Sequence, residues 1–156
     1  MPAIVPAIVV VCRWGALVFD RLWLDAARVQ LRTAAAAAAL AAADRLANDE
    51  QLRSETSVEA VVEQARSAAV TIAAANRVAG SPVRLDPTPG GDIRFGSLVD
   101  DPLTGRRVFL ETEEHPSTVL VTARAVRSRG NAVALFFQGL TGVATGDVIA
   151  RAGATV

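Results

Sequence analysis

The hydrophobic repeat changes several times along this chain. Residues 1–19 are almost continuously apolar, and residues 20–47 follow without a turn signal as Ala-rich, strongly helix-forming sequence. Residues 58–72 then repeat apolar positions at helical spacing. Beyond Gly80 the repeat shortens to two residues, which is typical of strands. The pattern predicts an α+β fold with one long N-terminal helix, a second helix and a small antiparallel β-sheet domain.

These changes divide the chain into a predicted transmembrane segment (residues 1–19), a helical stalk with the second helix (residues 20–80) and an antiparallel β domain (residues 81–156). Residues 48–56 are expected to break the first helix. Thr56 and Glu59 form a capping-box pattern that opens the second helix. Gly80 is a suitable C-cap for its end, and Pro82 prevents its continuation.

Five short strands are expected after the second helix. They are assigned to residues 83–85, 93–95, 106–111, 117–127 and 147–156. Alternation places one set of small apolar side chains on the inner face of the last two strands, namely Val119, Val121, Ala123, Ala125, Val148, Ala150, Ala152 and Ala154. Residues 131–140 are expected to form a short helix or loop. Its aromatic pair, Phe136 and Phe137, has two interpretations: a lid on the core, or a contact with a membrane surface or a neighbouring subunit.

The apolar lead has about the length that a membrane-spanning helix needs, since roughly 20 residues cross a bilayer core. Arg13 opposes a span, because a central Arg costs about 2.5–3.5 kcal/mol on insertion scales unless its side chain reaches an interface. Trp14 and Trp23 flank the expected boundary near Asp20, a position that amphipathic rings favour. A span over residues 1–19 is therefore the main prediction for this segment.

Two other interpretations of the lead stay open: a cleaved signal-like segment and a buried helix of a soluble protein. The first lacks an A-x-A cleavage pattern. A prepilin-type site is also lacking, because Gly15 and Asp20 have its spacing but lie at the wrong end of the apolar run. Arg21, Arg28 and Arg32 follow the lead and no basic side chain precedes it. Taken alone, that bias places the C-terminal part in the cytoplasm.

Composition narrows the classes of function. The 16 basic residues, all Arg, balance 16 acidic residues along the chain, with no basic stripe interleaved with aromatic residues, so a nucleic-acid partner is not expected. The single cysteine, Cys12, excludes an internal disulfide and a CxxC site. Alanine is concentrated in residues 34–43, which are expected to let another helix or a sheet approach closely.

Candidate chemistry is sparse. His115 is the only histidine and lies beside Glu113 and Glu114, where a metal ion is conceivable, although a histidine in a Pro-containing turn is usually a solvated loop residue. No serine has a nucleophile-elbow context, and no signal pairs His115 with a nucleophile. The sequence therefore predicts no enzyme, no catalytic residue, no cofactor and no metal site.

Several stretches resemble the TadE/TadG-like proteins of the Flp, or tight-adherence, pilus-assembly system. Asp20 matches the acid that follows the membrane span in that family, and residues 31–43 match its Ala-rich stretch. The resemblance continues in five further segments: residues 73–80, 92–96, 119–124, 134–142 and 148–156. The chain departs from the family at Ala36, where an acid is usual, and at Arg13 within the span.

The resemblance implies a pseudopilin-like structural component of pilus assembly. It implies a single-pass inner-membrane protein whose C-terminal domain is periplasmic or extracellular and contacts other pilus-assembly or surface proteins, including in adhesion. It implies no catalytic residue. Two rival hypotheses remain: a soluble or secreted α+β binding or adhesion module with a buried N-terminal helix, and an enzyme whose site the sequence does not reveal.

Overall fold

The structure is a computed structural model that describes residues 4–47 and 57–156. In chain order its elements are α1 (Ile4–Leu46), α2 (Val58–Ala75), β1 (Arg77–Val78), β2 (Ser81–Pro82), β3 (Ile93–Asp100), β4 (Arg107–Glu111), β5 (Thr118–Ala125), β6 (Val133–Ala134), α3 (Gln138–Thr141), β7 (Thr145–Gly146) and β8 (Val148–Thr155). The α+β class, the long first helix, the second helix and the antiparallel strands are confirmed.

The main sheet has four strands in the order β4-β3-β5-β8, and every neighbouring pair is antiparallel. Two further hairpins, β1–β2 and β6–β7, lie outside it. The predicted inward set on β5 is buried, as are Val148, Ala150 and Ala154 on β8, while Ala152 is half-buried. One face of the sheet therefore meets the helices and the other faces solvent.

Alanine forms the contact between the helices and the sheet. On α1 the residues Ala35, Ala38, Ala39 and Ala42 are fully buried, and on α2 so are Ala65, Ala69 and Ala73. These side chains belong to one core with Phe95 of β3 and Val121 of β5. Small side chains let the backbones approach closely, so the prediction for residues 34–43 is confirmed.

The limits of α2 differ from those predicted. Its N-cap is Ser57, whose hydroxyl accepts a hydrogen bond from the backbone N–H of Ala60; Thr56 lies outside the described residues, as does the rest of the predicted break at residues 48–56. The helix ends at Ala75 instead of Gly80, because Asn76 takes an extended conformation and donates its side-chain amide to Ile72. Residues 77–82 form the β1–β2 hairpin instead of a last helical turn.

The predicted strand at residues 83–85 was wrong. Val83 and Leu85 are buried, which explains their alternation, but they pair with no strand. The backbone N–H of Val83 bonds instead to Asn76 at the end of α2. The strand partners of β3 are β5, along residues 93–96, and β4, along residues 96–100.

The first turns of α1 extend beyond the core. We call residues 8–19 the projecting segment: eleven of its twelve residues are exposed, and only Ala16 is buried. The rest of the molecule, from Asp20 onward, we call the body. Of the span predicted over residues 1–19, residues 1–3 lie outside the described part. Among the residues that the structure describes, none belongs to a helix with the combined length and apolar character needed to cross a bilayer.

Candidate interaction site where the first helix leaves the body

The β6–β7 hairpin lies across α1 at the point where the projecting segment begins. The backbone N–H of Leu135 bonds to Ala144, which closes the hairpin, and α3 forms its tip. Gly146 lies directly against Leu24 of α1, since a Cβ placed there would come within 2.6 Å of the Leu24 side chain. The predicted short helix or loop at residues 131–140 is thus part of a hairpin whose tip packs against α1.

An aromatic cluster joins the hairpin tip to α1. The ring of Phe19 meets those of Phe136 and Phe137 edge to face, each at a centroid distance of 5.5 Å. Trp23 meets Phe136 at 5.1 Å, and its indole N–H donates to the carbonyl oxygen of Ala134 at 3.2 Å. Such pairs add about 0.5–1.5 kcal/mol each beyond the area that they bury. Phe136 nevertheless stays 60% exposed, so the cluster also presents an apolar surface to the outside.

Asp20 is a buried carboxylate at the centre of this junction. Its Oδ1 accepts a hydrogen bond of 3.1 Å from the backbone N–H of Phe136. Its Oδ2 is buried and has no hydrogen-bond partner among the described residues. The sequence predicted Asp20 at the boundary of a membrane span, and that remains a prediction. In the structure its side chain fixes the hairpin tip to α1.

The projecting segment beyond this junction carries large apolar side chains on every side of the helix. Those with about half or more of their surface exposed are Ile8, Val9, Val10, Val11, Trp14, Leu17, Val18 and Phe19. Arg13 and Cys12 are exposed among them. Large exposed apolar surfaces are typical of places where a protein meets another protein or a membrane.

A second polar site lies in the body, centred on Asp92. This carboxylate is fully buried and accepts hydrogen bonds from Arg124 and Arg129, including one of 3.1 Å from Arg129 Nη2. It also accepts the backbone N–H of Asp86 at 2.9 Å. The hydrogen bond to Asp92 raises the pKa of the Arg129 guanidinium above its ordinary value. The cluster ties β3, β5 and the turn after β5 together.

The turn before β3 is held by hydrogen bonds to the side chain of Asp86. Asp86 accepts hydrogen bonds from the side chain and the backbone of Thr88, and both lower the pKa of the Asp86 carboxyl. No pattern in the sequence indicated that Asp92 would pair with two arginines. The local signal is limited to one charge just before β3, one within β5 and one just after β5.

Arg66 lies on the inner side of α2, although arginine side chains are mostly exposed in proteins. It is buried, with its guanidinium 5.1 Å from the Phe95 ring centroid and 2.7 Å from a carboxylate oxygen of Glu113. It also donates to the carbonyl oxygen of Pro87 at 3.1 Å. Arg66 therefore fixes α2 to the loop before β3 and to the loop after β4.

The structure separates the residues considered for a metal site. Glu113 pairs with Arg66, and His115 sits in the β4–β5 loop with a left-handed backbone, φ 50°. Within residues 4–47 and 57–156 no group of three or more His, Cys, Asp and Glu side chains is placed to hold a metal ion.

Comparison of this chain with protein-family models, with curated proteins and with solved structures finds no match in any of the three.

Proposed function

We propose that the chain is a membrane-anchored, pseudopilin-like structural component of Flp-type pilus assembly, which works through protein–protein contacts. In this proposal the apolar N-terminal part of α1 inserts into the inner membrane. The body faces the periplasm or the exterior, where it meets other pilus-assembly or surface proteins. No catalytic, cofactor-binding or metal-binding role is assigned to any residue.

The projecting segment is the observation that carries the proposal. Its eight large apolar side chains are about half exposed or more. Completing the burial of side chains of this size is worth about 1 kcal/mol each, so covering the segment is worth on the order of 10 kcal/mol. Exposing Arg13 to lipid costs roughly 3 kcal/mol, and less if its side chain reaches an interface. The apolar gain exceeds the cost of the charge.

Length and aromatic placement also support insertion. Residues 1–19 as a helix would measure about 28 Å, close to the roughly 30 Å of a hydrocarbon core. The aromatic cluster of Phe19, Trp23, Phe136 and Phe137 lies on one side of α1 where the segment leaves the body. Aromatic rings favour the interface between hydrocarbon and water, so this cluster suits a body resting on a membrane surface.

Contacts between the segments that resemble the pilus family add a further support. Asp20 follows the span in the resemblance and touches Phe136 within residues 134–142. Asp92 opens residues 92–96 and touches Arg124 at the end of residues 119–124. Segments that stand far apart in the sequence thus form two contact sites, as parts of one functional design would.

Membrane fractionation of the full tagged chain tests the anchor. Wild-type protein is expected in the membrane pellet after a carbonate wash. The double variant Val10→Asp/Val11→Asp should be released, because both positions are exposed and two new charges raise the insertion cost by about 5 kcal/mol. Arg13→Leu is the matched control and should stay in the pellet. Wild-type chain in the soluble or secreted fraction contradicts the anchor and favours the binding-module hypothesis.

The pilus assignment needs a separate readout. In the source cell, deleting the coding sequence should remove surface pili, as counted by electron microscopy. Wild-type chain should restore them, and the Val10→Asp/Val11→Asp variant should not. Normal piliation after the deletion would contradict the assignment even if the chain is membrane-bound.

A further inference from the structure

Among residues 4–47 and 57–156, no strand pairs with the outer side of β4 or of β8. We infer that the β8 edge of one copy of this chain pairs with the β4 edge of a second copy, continuing the sheet head to tail. The inference depends on the sheet alone and holds whether or not the projecting segment enters a membrane. It identifies a second copy of the chain as a partner of the body.

The hydrogen-bond pattern shows which backbone groups face each open edge. In β5 the N–H of Thr122 bonds to Asp92, so even-numbered residues of β5 face β3 and odd-numbered ones face β8. Because Val121 is paired with Ala152, the even-numbered residues of β8 bond to β5. The odd-numbered residues, including Arg151 and Gly153, direct their backbone groups outward.

The same reasoning applies at the other edge. The N–H of Thr112 bonds to Phe95 of β3, so the even-numbered residues of β4 face β3. Arg107, Phe109 and Glu111 therefore direct their backbone groups outward. Since the strands alternate in direction across the sheet, β8 of one copy is antiparallel to β4 of a copy placed beside it in the same orientation.

One register matches the side chains of the two edges. It sets Arg151 opposite Glu111 of the next copy, Gly153 opposite Phe109 of the next copy, and Thr155 opposite Arg107 of the next copy. All six side-chain positions lie on the solvent face of the sheet, because Gly96 pairs with Glu111 on one side and is in line with Thr118 and Thr155 on the other. Three such pairs exchange roughly six backbone hydrogen bonds.

Charge disfavours a contact between two β8 edges. Strand β8 contains no acidic residue, and Arg151 has no ion-pair partner within the described part of the chain. A β8–β8 contact would leave that charge uncompensated. The head-to-tail contact places it beside the carboxylate of Glu111, which is half exposed and is also contacted by Arg94 of its own chain at 3.4 Å. A β4–β4 contact would set Arg107 opposite Glu111 twice, but it would leave the β8 edge, with Arg151 and the groove beside it, unused. The Arg151→Glu variant described below separates the two arrangements, because only the head-to-tail contact contains Arg151.

The inner face of the sheet supplies a second match. Val108 and Leu110 of β4 belong to the inner face but stay 44% and 57% exposed, because the helices do not cover them. Beside β8, a groove of about 420 Å³ opens between α1 and the strand end, with Leu40, Ala43 and Ala154 in its wall. The register that pairs Arg151 with Glu111 brings Val108 of the next copy opposite Ala154, at this groove.

Sedimentation velocity of the full chain in detergent, at low salt and over a range of concentrations, tests the pairing. Wild-type chain should associate beyond a dimer, because a head-to-tail contact leaves one edge open at each end. Arg151→Glu and Glu111→Arg should each weaken self-association by about tenfold or more, since each sets like charges opposite one another. Circular dichroism checks that both exposed positions tolerate the change.

Mixing the two charge variants makes the test specific. In the mixture, every contact between a copy of one variant and a copy of the other joins opposite charges, so association should return to the wild-type level. The Arg151→Glu/Glu111→Arg double variant should also associate like wild type. Leu110→Ser should also weaken association, whereas Leu103→Ser at the 93% exposed tip of the β3–β4 turn should not. A monomer at all concentrations, wild-type association of Arg151→Glu, or no recovery in the mixture would each overturn the inference.

Discussion

Helix α1 contains two stretches that meet different surroundings. The projecting segment, residues 8–19, carries Ile, Val, Leu, Trp and Phe, and almost all of it is exposed. Residues 27–43 carry mainly alanine, and their inward side is among the most buried surfaces of the molecule. The more hydrophobic stretch is thus the one that its own fold leaves uncovered.

Which stretch of α1 is buried therefore depends more on how closely its backbone can approach α2 and the sheet than on how hydrophobic its side chains are. Alanine lets α1 lie close to both α2 and the sheet, so many atoms meet although each side chain is small. The large side chains of the projecting segment would not fit such a contact. They suit a thick apolar environment, as the proposed membrane insertion supplies.

The largest expected effect comes from placing one charge in each stretch. Ala38→Asp should cost more than about 4 kcal/mol of unfolding free energy, because a fully buried carboxylate would have no partner in the alanine contact. Val11→Asp, at a 70% exposed position, is the matched control and should change stability by less than about 0.5 kcal/mol. Urea titration followed by circular dichroism measures both. Equal losses would show that the projecting segment is part of the core.

A second prediction compares the two buried carboxylates, one at the junction and one in the body. Asp92→Asn should cost about 2–3 kcal/mol, because it leaves Arg124 and Arg129 facing one another without a counter-charge; both are about one-third exposed, which reduces the loss. Asp20→Asn keeps an oxygen for the Phe136 N–H and should cost less than about 1 kcal/mol. The same urea titration ranks the two variants, and a reversed order would contradict the roles given to them.

The third prediction concerns the packing of the β6–β7 hairpin against α1. Gly146→Ala should cost about 1–2 kcal/mol, because the new Cβ would stand 2.6 Å from the Leu24 side chain and push the hairpin from α1. Gly139→Ala in the same hairpin meets nothing within 4 Å and should not destabilise the protein. Thermal unfolding of both variants measures the difference, and tryptophan fluorescence reports whether Trp23 has lost its contact.

The smallest effect concerns pH. Hydrogen bonds from Thr88 lower the pKa of Asp86 below 3.8 in the folded protein. A carboxyl group whose pKa is lower in the folded than in the unfolded state stabilises the fold at pH values above its ordinary pKa. This contribution is lost as the pH falls through the folded-state pKa. The stability difference between wild type and Asp86→Asn should therefore shrink between pH 6 and pH 3. A difference that grows toward low pH would contradict the hydrogen-bonding assignment.

Much of the fold followed from local pattern. The alternation in residues 117–127 and 147–156 gave strands β5 and β8 with the correct inner faces, because a half-buried strand repeats every two residues. The same rule failed at Val83 and Leu85, whose burial comes from a loop packed on the core. Alternation reports which side chains are buried and not which backbone groups are paired.

The candidate sites depended more on distant contacts. The sequence pointed to Asp20 and to Phe136 separately, but 116 residues lie between them and nothing local joins them. Asp92, Arg124 and Arg129 looked like ordinary turn and strand charges until the strand order brought them together.

Local residue patterns were sufficient to predict the two helices, the antiparallel strands, the alanine packing surface and the apolar N-terminal stretch. Each of these features is a local repeat of side-chain size and polarity. Only the tertiary structure decided that the hairpin clasps α1 at Asp20, that the charges around Asp92 are buried together, and which edges of the sheet stay open. These features depend on strand order and on contacts between distant residues, and no periodicity within a single element encodes either of them.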